Sequence, residues 1–168
     1  THHPLIFSGL KRVNFDTYST KILKELIKKD ISLISMHTNI DKTHLNKYVI
    51  EKILGFKIEN SSEFISYCNV NMNFDELVKY VSNKLNLKTT KVVRSKEFIK
   101  DIAVVTGSAM SLLDEIKADC FLTGDIKYHD AMEAKARNIS LIDIRHYESE
   151  CYFNSLVETL LEEYLKKN

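Results

Sequence analysis

Between Ile102 and Ile144 the chain alternates apolar runs with helical stretches in a regular rhythm. IAVVTG (Ile102 to Gly107), CFLTG (Cys120 to Gly124) and SLIDI (Ser140 to Ile144) read as strands. SLLDEIKA (Ser111 to Ala118) and HDAMEAKARN (His129 to Asn138) between them read as helices. Strands that feed helices and return to strands predict βαβ units. The expected fold class is therefore α/β, with mainly parallel or mixed sheets and helices packed on them. In sheets of this kind functional side chains gather just beyond the carboxyl ends of the strands, which tells where to look for chemistry.

The rest of the chain fits around that frame. Asp16 to Asp30 has the periodicity of an amphipathic helix, with Ile22, Leu23, Leu26 and Ile27 on one face and lysines on the other. ISLISM (Ile31 to Met36) reads as a short buried strand. Lys42 to Leu54 reads as a helix that Gly55 ends. Phe64 to Val70 and LKTTKVVRS (Leu87 to Ser95) read as strands, with Asn73 as N-cap of the helix FDELVKYVSNKL between them. A last helix runs from about His146 to Lys167. One Pro and four Gly leave no linker to mark a boundary. The motifs divide the chain into a first α/β part, 1–57, and a second, 58–168, expected to share one metal cleft.

A formal net charge of +1 gives no electrostatic reason to expect nucleic acid or a membrane surface as partner. No apolar run is long enough to span a bilayer. Cys68, Cys120 and Cys151 are scattered, without CxxC spacing, which fits reduced core-filling thiols and a cytoplasmic location.

Three of the expected strands end in metal-ligand residue types. ISLISM leads to His37 and Asp41, CFLTG to Asp125 and His129, and SLIDI to His146 and Glu150. Each pair is separated by four residues. At the start of a helix that spacing sets His146 and Glu150 on one face, where they can share a cation. Imidazoles mixed with carboxylates, without thiolate, suit Zn, Fe or Mn and leave room for a bound water. Plainer roles exist for the same residues: Asp41 and Asp125 as helix caps, His-x-x-x-Glu as a solvated pair, and His2-His3 as the scar of a tag. What separates these readings is the coincidence of His and carboxylate at three strand ends.

Taken together, THHPLIF, HTNID, FLTGDIKYHDA and LIDIRHYESE resemble the GTP cyclohydrolase 1 type 2 homologue family, the NIF-three-like dinuclear metal-centre proteins. The resemblance implies two divalent metal ions (Zn, Fe or Mn) held by His2, His3, Asp41, His146 and Glu150, with Glu150 bridging. It places His37, Asp125 and His129 in the same cleft as catalytic or supporting groups. It implies a metal-dependent hydrolase acting on a purine nucleotide such as GTP, or alternatively a metal-handling or iron-chaperone protein without turnover. It also implies a homohexamer built as a trimer of dimers. Family members carry a further segment before the double His, so this sequence is expected to be part of a longer chain. The TGSAMS stretch (Thr106 to Ser111) is poorer in glycine than the family's usual loop and is expected to be an ordinary turn.

Overall fold

The computed structural model describes residues 1–167, which fall into two compact units, Thr1–Ile40 and the chain from Asp41 onward. This packing boundary lies ahead of the motif-based division at residues 57 and 58.

The first unit is built on α1 (Tyr18–Lys28) and closes with a single helical turn, α2 (Thr38–Ile40). Ile22, Leu23 and Leu26 are half-buried as the periodicity predicts, while Ile27 lies exposed. The expected strand ISLISM is not one: its backbone is irregular, and Ile31, Leu33 and Ile34 are exposed. A strand is made by its partners, and this run has few. Among the described residues, Ile31 donates to the Leu26 carbonyl, Met36 donates to the Thr1 carbonyl, and Ile34 accepts from the Thr1 amine. Those bonds do not make a ladder.

The second unit opens with helical winding over residues 41–54: π-helical Asp41–Leu45, α3 (Asn46–Tyr48) and π-helical Val49–Leu54. Buried residues recur at Leu45 and Asn46, Val49 and Ile50, then Leu54, in steps slightly wider than an α-helix gives. Gly55 ends it in the left-handed conformation (φ +74°), as expected from sequence.

Six strands form one mixed sheet: β1 (Ile58–Ser61), β2 (Ser66–Asn73), β3 (Val92–Val93), β4 (Phe98–Ser108), β5 (Cys120–Gly124) and β6 (Ser140–Asp143). Their spatial order is β1-β2-β4-β5-β6-β3. β4, β5 and β6 run parallel, and the three outer pairings are antiparallel. The helices are α4 (Phe74–Lys84), α5 (Tyr128–Ala136), α6 (His146–Glu150) and α7 (Phe153–Lys167). Ala103, Val105, Phe121 and Leu141 point to one side of the sheet, into a core completed by Leu113, Ile116, Ala134 and Ile139. By the two-residue period of a strand, buried Ile102, Val104, Leu122 and Ile142 point to the other. Cys68 and Cys120 fill these layers as free thiols, and burial pushes the Cys68 thiol up to about 11.

Where the elements differ from the sequence reading, local bonding explains why. Leu87 to Ser95 yields only the two-residue β3, because Ser140 Oγ takes the backbone N–H groups of Ser95 and Lys96 in place of a ladder. Ser111 to Ala118 winds as a 3₁₀-helix over Met110–Glu115, which sends Leu113 and Ile116, three residues apart, into one core. The last helix breaks between α6 and α7. β1, at the sheet edge and largely exposed, carries too little apolar pattern to be read in advance.

Three helices end by the same device. α1, α4 and α5 are followed by Asp30, Asn86 and Asn138 in positive φ, then by Ile31, Leu87 and Ile139. Each of the latter donates its N–H back to the carbonyl five residues earlier, closing a Schellman motif without a glycine. Asn86→Ala is therefore expected to destabilise the protein by about 1 kcal/mol and Asn86→Gly to match or exceed wild type, because only the alanine opposes a left-handed backbone. Urea midpoints of the two variants measure this.

Candidate metal centre

The parallel strands β4 and β5 both carry Thr-Gly at their carboxyl ends, Thr106-Gly107 just before the last residue of β4 and Thr123-Gly124 closing β5, and α6 packs against both strands. At Gly107 the backbone is left-handed (φ +68°), and a Cβ there would overlap the Glu150 carboxylate. At Gly124 a Cβ would lie 2.7 Å from the backbone nitrogen of His146 and 2.8 Å from the Gly107 carbonyl oxygen. Only glycine lets the three segments approach so closely. The β4–β5 register slips between Val104 and Ser108, and buried side chains take up the backbone groups thereby released. Asn46 Oδ1 accepts from Thr106 N–H (3.2 Å), and Ser149 Oγ accepts from Gly107 N–H (2.9 Å). Thr123 Oγ1 accepts from Ala109 N–H and donates to the Gly107 carbonyl, both at 3.1 Å. Asn46 Nδ2 completes its own pairing on the carbonyls of Phe64 and Val104 and on Ser66 Oγ.

This frame presents His146 and Glu150. Asp125, in positive φ after β5, receives a 2.6 Å hydrogen bond from His146 Nδ1, and His146 Nε2 lies 3.2 Å from Glu150 Oε2. Glu150 is 8% exposed, so its charge is held almost out of water beside an imidazole. Burial, the largest influence on His146, works against its protonated form. The hydrogen bond to Asp125 and the charges of Glu150 and Asp125 outweigh it, raising the pKa above the ordinary histidine value.

In the first unit His2, His3 and His37 converge. Their ring centroids are 4.7 to 5.1 Å apart, and one nitrogen of each lies within 4.8 Å of the others. His2 Nδ1 donates to the Met36 carbonyl (2.9 Å), which turns Nε2 toward any ligand, and His37 Nδ1 bonds Thr38 Oγ1 at 3.1 Å. His2 is buried, His37 half-buried and His3 exposed. The donor set is three imidazoles in the first unit and an imidazole with carboxylates in the second, without thiolate, which suits a divalent transition metal with a water-accessible position.

The remaining candidates sit as follows. Asp41 is half-buried at the first position of the π-helical winding, already preceded by a helical turn, so it is not the N-cap its position after HTN suggested. His129 is exposed on α5 with its ring edge-on to Tyr128, and no hydrogen bond or ion pair joins it to Asp125, His146 or Glu150. His37, a supporting group by resemblance, lies beside the rings of His2 and His3. Gly107, Gly124, Asn46 and Ser149 were not singled out in the sequence; the signal that would have found the glycines is the repeated Thr-Gly at successive strand ends. TGSAMS is correspondingly more than an ordinary turn.

The sequence model of the family described as Duf34/NIF3 (NGG1p interacting factor 3) matches residues 1–168. The chain is 52% identical over 155 residues to a Campylobacter jejuni protein named GTP cyclohydrolase 1 type 2 homolog, a match covering 92% of this chain and 64% of that one. It is 46% identical over 167 residues to a Helicobacter pylori protein named GTP cyclohydrolase 1 type 2, covering 98% of this chain and 68% of that one. The chain thus spans about two thirds of the length of these relatives. Among solved structures, Staphylococcus aureus protein SA1388 superimposes with a TM-score of 0.83 at 29% identity, covering 98% of this chain and 71% of that one.

Two outcomes follow from the geometry. Gly107→Ala should displace the Glu150 carboxylate and weaken divalent-metal binding at least tenfold, measured by competition with a chromophoric chelator. Its unfolding free energy should fall by at least about 1–2 kcal/mol, the cost of a left-handed alanine. In metal-free protein the raised His146 pKa stabilises the fold below the ordinary histidine value, and that contribution is lost as pH rises through the raised value. Metal binding needs the neutral ring, so uptake should weaken as pH falls through the same range and release a proton. Calorimetry in buffers of different ionisation enthalpy counts that proton.

Proposed function

The chain belongs to the Duf34/NIF3 family, and from that premise we propose that it is a metal-dependent hydrolase of the GTP cyclohydrolase type, acting on a purine nucleotide. The observation that carries this reading is the Asp125–His146–Glu150 constellation, an oriented imidazole beside a buried carboxylate at the carboxyl ends of parallel strands. The family resemblance supports His2, His3, Asp41, His146 and Glu150 as the ligands of two divalent ions, and the names of the relatives support the substrate class. When bound, such ions lower the pKa of a coordinated water toward neutrality, so that an electrophilic ring carbon can be hydrolysed at ordinary pH.

The chain's own residues then have distinct tasks. Asp125 holds the proton on His146 Nδ1 and keeps Nε2 turned toward Glu150. Ser149, bonded to both the Gly107 N–H and the His146 carbonyl, holds α6 at the end of β4. His37, half-buried beside His2 and His3, is suited to carry a proton because imidazole titrates near neutral pH. His129 is the alternative carrier. The second reading, a metal-handling protein without turnover, draws on the exposure of His3, which would let an ion pass to an acceptor. A cytoplasmic location and a homohexameric assembly complete the proposal. No helix among the described residues is long and apolar enough to cross a membrane.

Metal content and GTP ring opening, measured on the same preparations of wild type and Glu150→Gln, test the proposal. Wild type should carry two ions per chain and turn over GTP, and the variant, without the carboxylate charge that would help hold them, should lose at least about a hundredfold in rate. Bound metal with no turnover across a nucleotide panel, and with release to an acceptor, would establish the second reading instead. Light scattering on the same wild-type sample should give a mass of six chains.

A further inference from the structure

Arg145 occupies a backbone conformation that belongs to glycine. Its φ is +62° and its ψ 152°, a region that residues with a Cβ avoid. Seven non-glycine residues among those described have positive φ, and five of them are Asn or Asp, whose short side chains tolerate it. Arginine has no such excuse. The cause of the conformation is visible. The carbonyl carbon of Arg145 and the nitrogen of His146 lie on Gly124, each 2.7 Å from where a Cβ would be, so the chain must turn sharply to enter α6. Asp143, 2% exposed, fastens the turn by accepting from Arg145 N–H at 2.9 Å. A glycine at residue 145 would make the same turn without strain.

The side chain itself is not used to hold the fold. It is 39% exposed, and its recorded charge partner is Glu148, at an Nε–Oε1 distance of 3.9 Å, too long for a hydrogen bond. A guanidinium with five donors is therefore available one residue ahead of His146, on a backbone that resists moving. Strain kept at such a position is expected where the side chain does something a glycine cannot. Planar guanidinium groups pair bidentately with phosphate oxygens, and a nucleotide of the class proposed above brings several of them.

We infer that Arg145 is the anion-recognition residue of the site, gripping a phosphate group of the substrate beside His146. The substrate class in this inference rests on the reading given under Proposed function, while the anion chemistry does not. The test compares wild type, Arg145→Lys and Arg145→Gly for equilibrium binding of GTP, guanosine and inorganic tripolyphosphate, together with their thermal midpoints. Arg145→Gly should bind GTP and tripolyphosphate at least tenfold more weakly, leave guanosine unchanged, and melt at a higher temperature because the strain is gone. Arg145→Lys should keep the strain and recover part of the anion affinity. A glycine variant that melts higher and binds both anions as wild type does would overturn the inference. So would a wild type with no affinity for either anion, or a glycine variant that melts lower. Arg145-dependent tripolyphosphate binding in a protein that never opens GTP would uphold this inference while the cyclohydrolase reading fell.

Discussion

The second unit is organised by the approach of Glu150 to Gly107. A carboxylate that is 8% exposed lies where any other residue's Cβ would stand. That approach needs a left-handed β4 terminus, and the left-handed terminus breaks the β4–β5 ladder between Val104 and Ser108. Each released backbone group then needs a partner, since an unpaired buried amide costs on the order of 1–3 kcal/mol. Asn46, Thr123 and Ser149 supply them from three different segments. A single close contact thus ties the residue 41–54 winding, two strand ends and α6 into one arrangement, and the position of His146 follows from it.

The same logic sets the histidine tautomers. His146 donates its Nδ1–H to the Asp125 carboxylate and His2 donates its own to the Met36 carbonyl, which fixes each ring's orientation, and His146 Nε2 faces Glu150 at 3.2 Å. The two acceptors differ in consequence. A carboxylate partner strengthens the ring as a base and favours its protonated form, as seen in the raised pKa of His146. A neutral carbonyl orients without adding charge.

Much of this was legible in the residues. The apolar runs from Ile102 to Ile144 gave β5 and β6 nearly to the residue and the buried part of β4, which starts earlier, at Phe98, because strands buried on both faces must be apolar throughout. Glu150 and His146 were found because a four-residue spacing at a helix start has a definite geometric meaning. ISLISM misled for a complementary reason: an apolar β-branched run specifies a strand only when another strand lies beside it, and pairing partners are not written in the run itself. The Asn46 and Ser149 contributions were invisible because each acts on a backbone amide distant in sequence, 60 and 42 residues away. Side chains that serve a backbone leave no local pattern.

The positive-φ residues show how the chain separates economy from function. Where a helix merely has to stop, at Asp30, Asn86 and Asn138, the left-handed position is filled by a residue that tolerates it, and the apolar residue that follows closes the end with its backbone N–H. Where backbone must meet backbone, at Gly107 and Gly124, the side chain is dispensed with altogether. Arg145 obeys neither rule, although it stands against Gly124 and beside the most constrained imidazole of the unit. In the second unit every other described positive-φ position holds Asn, Asp or Gly, yet a strained arginine stands here, and chain geometry alone supplies no reason for an arginine. The reason has to come from what the guanidinium binds.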